Sequence, residues 1–140
     1  MSELWELDLG ELSARVARNE VTCADVMEQV LGRIDQVDTR VGAFLSLRPE
    51  EALREAAEAD RARASGTPRG PLHGLPLAVK DNLVSPDLET GCASQMLRGM
   101  RAPYEATVLA RLREAGMVVL GTTNMDEFAM GSSCENSAVL

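Results

Sequence analysis

The chain has 140 residues, 45% of them hydrophobic, which is enough for one modest domain with its own core. Trp5, Phe44, Tyr104 and Phe128 are its only aromatics, so any core is built from Leu, Val, Ala, Met and Ile. The balance of 22 acidic against 14 basic residues, net charge -8, argues against direct grip on a nucleic-acid backbone, which calls for a basic face.

Cys23, Cys92, Cys134 and the single histidine, His73, have no metal-ligand spacing, which excludes a Cys/His zinc site. Free thiols point to a reducing compartment. The start, Met1-Ser2-Glu3-Leu4-Trp5-Glu6, has neither the basic nor the apolar region of a secretory signal. No apolar run approaches the ~20 residues of a membrane span. The expectation is a soluble cytoplasmic protein.

Leu9, Leu12 and Val16 recur at helical spacing and predict a short amphipathic helix from Leu9 to Arg18, broken at Asn19-Glu20. Thr22-Cys23-Ala24-Asp25 has the form of a capping box. The helix it opens carries Val26, Val30, Ile34 and Val37 on one stripe and is expected to end near Asp38. Ala43 to Leu47 is a candidate strand. Pro49 opens a third helix, Glu50 to about Ser65, with Gly66 as its stop. Glu50/Arg54 and Arg54/Glu58 pairs at i,i+4 mark its solvated face. A rigid, turn-rich loop, Gly66 to Pro71, follows.

Leu75-Pro76-Leu77-Ala78-Val79 is a short apolar run that ends at Lys80. Leu83 to Arg101 lacks periodicity and contains Pro86, so an irregular excursion is expected. Ala106 to Ala115 reads as a helix with Val108, Leu109, Leu112 and Ala115 on its buried side, capped by Gly116. Met117-Val118-Val119-Leu120 is a continuous apolar strand. Strand, crossover, helix, strand is the pattern of a parallel α/β sheet, and an apolar strand of this kind implies cover on both faces. Ser137 to Leu140 closes no element, and so few strands make a thin sheet, so residues 1–140 read as part of a larger domain.

A lysine at the carboxyl end of a sheet strand stands where ligands of open α/β sheets gather. Partial burial there would lower the pKa of the Lys80 ammonium and make a neutral amine base available. On pattern alone, Lys80 reads more simply as an ion-pair partner for Asp81 or a side chain reaching solvent. Gly121 to Glu127 follows the second strand, again at a carboxyl end. The loop Met130 to Ser137, rich in small hydroxyl and amide residues, can offer N–H groups and hydroxyls to a carbonyl, or can be an ordinary turn. Within it Met130, Gly131 and Ser132 are the candidate substrate-binding residues. Ser132 and Ser133 lack a G-x-S-x-G context and His73 is far away in sequence, which argues against a Ser-His-Asp triad. Asp126 and Glu127 are adjacent and point apart, so helix capping or loop anchoring suits them better than paired-carboxylate catalysis. Cys92 reads as a small hydrophobe and His73 as a turn residue.

Gly74 to Asn82 resembles the G-[IL]-P-[IL]-x-[VI]-K-D-N motif of the amidase-signature family. Thr123 to Ser133, with Glu135-Asn136-Ser137, is similar to the form found in the glutaminase subunits of tRNA-dependent amidotransferases. Cys92-Ala93-Ser94, Pro103-Tyr104 and the Ala106 to Leu120 unit also fit, so the resemblance covers nearly the whole chain. It implies an α/β fold, the amino-terminal part of a mixed sheet covered by helices on both faces, in a single amidase domain continuing past Leu140.

The resemblance further implies a Ser–cis-Ser–Lys relay in which Lys80 is the base. The Gly-Gly-Ser-Ser-Gly-Gly and Gly-Gly-Ser-Ile motifs that carry its two serines do not occur in these 140 residues. The chain alone is therefore expected to be inactive. Glutamine would be the substrate, and its ammonia would convert Glu-tRNA(Gln), or Asp-tRNA(Asn), to the amidated form. A tRNA-binding B-type subunit, using ATP and Mg²⁺, and a small C-type subunit would be the partners, with no cofactor on this chain itself. Two departures stand out: Thr122 where lysine is common, and Val84-Ser85-Pro86-Asp87 after the lysine motif. The rival readings are a free-standing amidase acting on small carboxamides and a non-catalytic interaction module.

Overall fold

The computed structural model describes residues 3–140. Met1 and Ser2, part of the acidic start considered above, lie outside the described residues. A short 3-10 turn, Leu4–Glu6, precedes α1, Leu9–Ala17. The Asp8 carboxylate accepts from the Glu11 N–H at 2.8 Å to start α1, and Leu12 and Val16 are its buried side.

Helix α2, Cys23–Val41, begins at the expected capping box: the Thr22 hydroxyl accepts from the Asp25 N–H, and the Asp25 carboxylate accepts from the Thr22 N–H, both at 2.9 Å. It continues past Asp38 to Val41, where Gly42 in the left-handed conformation closes it. Asp38 instead stabilises the exit, its carboxylate accepting from the N–H groups of Ala43 and Phe44.

Helix α3, Pro49–Ala64, packs on α2 through Ala52, Ala56 and Ala59. It also caps its neighbour, because Asp60 accepts from the N–H groups of Cys23 at 2.8 Å and Ala24 at 3.1 Å. These donors at a helix start have no intrahelical acceptor. Asp60→Ala is therefore expected to lower stability by about 1–2 kcal/mol, checked by thermal unfolding. A change within error would mean that the Thr22–Asp25 box suffices alone. On the exposed face Arg54 and Glu58 meet at 4.0 Å, whereas Glu50 and Arg54 form no ion pair among the described residues.

Strands β1, Phe44–Leu47, β2, Pro76–Lys80, and β3, Val118–Thr123, form one sheet in the order β1-β3-β2. β2 and β3 are parallel, joined through the irregular excursion and α4, Thr107–Glu114, while β1 pairs antiparallel and makes the sheet mixed. Both faces are covered. On one, Leu75, Val118 and Leu120 pack against Leu12, Val16, Val26, Met27 and the α3 alanines. On the other, Val79 and Val119 pack against Leu88 and Leu109. Val108, expected on the buried side of α4, is 47% exposed, because this short helix turns Leu109 to the sheet.

β3 corrects one boundary. Gly121-Thr122-Thr123, expected to follow the strand, is its second half, because these residues pair with both neighbours: Thr122 with Ser46 and Val79, Thr123 with Phe44 and Lys80. Within the excursion only a short 3-10 turn, Gln95–Leu97, is regular among the described residues. The departure at Val84 to Asp87 is well anchored there. The Ser85 hydroxyl donates to Asp87 at 2.5 Å, and Arg113 and Arg48 reach the Asp87 carboxylate at 2.9 and 3.3 Å. Burial pushes the Asp87 carboxyl upward, but Ser85, Arg113 and Arg48 together hold it below its usual range.

Candidate active site

The parallel strands β2 and β3 end side by side, with Lys80, Thr123 and Phe44 in one row across the three strands. Asp81 follows the last residue of β2, and its N–H donates to the Thr123 oxygen at 3.2 Å. Lys80 is exposed, and none of the ion pairs among the described residues includes it.

Asp81 is only 4% exposed and serves the loop that follows. Its carboxylate accepts from the N–H groups of Gly91 at 3.1 Å and Ala93 at 2.8 Å, and its main-chain oxygen takes the Cys92 N–H at 3.0 Å. The Lys80–Asp81 ion pair that the sequence also allowed is not formed among the described residues; this carboxylate is engaged by the loop N–H groups instead.

β3 ends in the same way. Met125 is buried, and Asp126 gathers the loop after it, accepting from the N–H groups of Ser133 at 3.1 Å, Cys134 at 3.0 Å and Asn136 at 3.0 Å. Loop anchoring, not helix capping, is its role, since it makes no side-chain cap on the 3-10 turn Glu127–Ala129. Those N–H groups, Asn136 and Cys134 foremost, hold its carboxyl below the usual range.

The two loops are stitched together. The Phe128 N–H donates to the Cys92 oxygen at 3.0 Å, the Ser94 hydroxyl to Glu127 at 2.5 Å, and the Ala138 N–H to the Ala93 oxygen at 3.0 Å. A cavity of about 200 Å³ lies beside them, with Ser46, Asp81, Ser94, Arg98 and Thr122 in its wall. Thr122, where the resemblance leads one to expect lysine, is buried with its hydroxyl 2.7 Å from that of Ser46.

Met130, Gly131 and Ser132 sit on the exposed rim of the second loop, Met130 being 84% exposed. The structure links this loop to the Lys80 strand through residues 91–94. That connection was invisible in sequence, because Ser94 and Glu127 are far apart along the chain and neither belongs to a local pattern. His73 lies in a turn, its Nδ1 accepting from the Arg69 N–H at 3.1 Å and its Nε2 facing the Ala59 oxygen at 2.8 Å, so both ring nitrogens are used structurally. Cys92 is half-buried, and burial followed by the charge of Asp81 raises its thiol pKa, which keeps it protonated and unsuited to nucleophilic attack. Cys23 is fully buried, its thiol pushed up to about 12, chiefly by burial and then by Asp60. Among the described residues, no group of three or more His, Cys, Asp or Glu side chains could hold a metal ion, and no helix is long and apolar enough to cross a membrane.

A strand-end lysine and two carboxylate-pinned loops thus sit on a mixed sheet with helical cover. The sequence model described as Amidase matches residues 25–140, and the chain belongs to that family. It is 47% identical over 99% of its length to the A-type subunit of glutamyl-tRNA(Gln) amidotransferase from Thermobifida fusca, and 51% identical over 99% to that from Salinispora arenicola. The chain spans 28% of the length of each of these relatives. The native peptide amidase of Stenotrophomonas maltophilia superposes with a TM-score of 0.81 at 43% identity, over 88% of this chain and 26% of that one.

Proposed function

We propose that these residues supply the base and part of the substrate rim of a glutaminase subunit in a tRNA-dependent amidotransferase. The observation that carries the reading is Lys80, a side chain without an ion-pair partner among the described residues, at the carboxyl end of β2, beside an Asp81 whose carboxylate accepts from its loop. In the proposed reaction Lys80, as a neutral amine, takes a proton through one serine so that a second serine attacks the glutamine carboxamide. Ammonia leaves and water hydrolyses the acyl-enzyme. Because Lys80 is exposed here, the desolvation this needs is assigned to the part of a longer enzyme outside the 28% matched in the relatives.

Met130, Gly131 and Ser132 are the proposed substrate contacts. The partners are a tRNA-binding B-type and a small C-type subunit in the cytoplasm, with ATP and Mg²⁺ used on the B-type partner. The acidic charge of -8 supports leaving the tRNA to that partner.

The likeness to a peptide amidase favours one second reading, a free-standing amidase acting on other carboxamides. Co-purification of the full-length protein with a tRNA-binding subunit separates the two, since a free-standing enzyme would turn over without it. The 140-residue polypeptide alone is expected to release no ammonia from glutamine, because a general base without a nucleophile does not complete the relay. Ammonia release by pure polypeptide that vanishes in Lys80→Ala would overturn the assignment of the nucleophile to another segment.

A further inference from the structure

Asp126 is 4% exposed and is absent from every ion pair among the described residues, yet four donors surround it. Oδ2 accepts from the Ser133 and Cys134 N–H groups at 3.1 and 3.0 Å, and Oδ1 from the Asn136 N–H at 3.0 Å and its side-chain amide at 3.3 Å. Gly131 lies directly against this carboxylate: a Cβ there would stand 2.4 Å from Asp126 Cγ and Oδ2. The loop thus wraps a single buried anion. Phe128, Ala129 and Cys134 adopt positive φ within it, a geometry that needs enforcing. The N–H groups of Gly131 and Ser132, between the wrapped segments, meet no acceptor among the described residues.

We infer that Asp126 is a positioning residue, whose buried carboxylate shapes residues 130–137 so that the Gly131 and Ser132 N–H groups stay free to hold the primary carboxamide of the substrate. The inference rests on the amidase reading above. A carboxylate is required because all its partners are donors. An asparagine of the same shape would turn an NH₂ toward either the Ser133/Cys134 pair or the Asn136 pair and set donor against donor.

The test uses a full-length enzyme carrying these residues, with its partner subunits, as wild type, Asp126→Asn, Gly131→Ala and the double variant. Each single variant is expected to raise KM for glutamine about tenfold, roughly the worth of one or two neutral hydrogen bonds to the carboxamide, with kcat within about threefold. The double variant is expected to match the worse single one, because both disturb the same contact. Hydrogen exchange should accelerate within residues 130–137 of Asp126→Asn and stay unchanged in β2 and β3. Unchanged KM despite faster exchange would overturn the link to substrate, as would a fall in kcat alone. Normal exchange would overturn the positioning role whatever the activity. A wild type that leaves glutamine intact would instead overturn the assigned function, while exchange in the same samples still decides whether Asp126 orders the loop.

Discussion

Lys80→Arg in a full-length enzyme is expected to lose glutaminase activity almost as completely as Lys80→Ala, by about 10²–10⁴-fold, the usual contribution of a general base. Lys80 stands at the end of β2, and the carboxylate next to it in sequence, Asp81, makes no ion pair with it and accepts instead from the N–H groups of Gly91 and Ala93. A purely electrostatic partnership with Asp81 is thereby removed as a reason for the lysine. Arginine keeps its charge under essentially all conditions and cannot accept a serine proton, so it preserves the charge and abolishes the base. The measurement is glutamine hydrolysis with the partner subunits present. Activity of Lys80→Arg within a few-fold of wild type would show that position 80 supplies only positive charge.

Gly121→Ala is expected to cost about 3 kcal/mol of stability, the upper end of what overpacking usually costs. A Cβ at this position would stand 2.0 Å from the Ser46 oxygen and 2.9 Å from Leu47 Cα, both main-chain atoms of β1. No flexible side chain can give way, so β1 must retreat from β3 and loosen the pairing of Ser46 with Thr122. Gly32, inside α2 with nothing within 4 Å of its missing Cβ, is the control. There alanine should gain about 0.5–1 kcal/mol by helix propensity alone. Urea unfolding of the full-length variants checks both, and a loss below about 1 kcal/mol for Gly121→Ala would mean that β1 is free to shift.

The helices were legible because their determinants are local. The Thr22–Asp25 box, Pro49 at the first turn of α3 and the spacing of Leu12 and Val16 each act within a few residues, and the structure has them as expected. Boundaries slipped where a longer-range partner intervened. Asp38 resembled a helix end, but its carboxylate is engaged by Ala43 and Phe44 beyond the end at Val41. The apolar run ends at Leu120, which places Gly121 to Thr123 after the strand, but pairing on both sides makes it strand.

The amino-acid sequence by itself determined the four helices, the strand cores and the motif that marks Lys80 as the residue to watch. A charged residue that interrupts an apolar run, and a family motif around it, need no partner to be seen. Only the tertiary structure decided what Asp81 and Asp126 do. A carboxylate reads the same in sequence whether it faces solvent, pairs with a cation or collects N–H groups. Which of these it does depends on backbone donors that folding brings to it from residues 91–93 and 133–136. Those donors carry no side-chain signature, so their gathering around a buried anion appears only when the loops are closed in space.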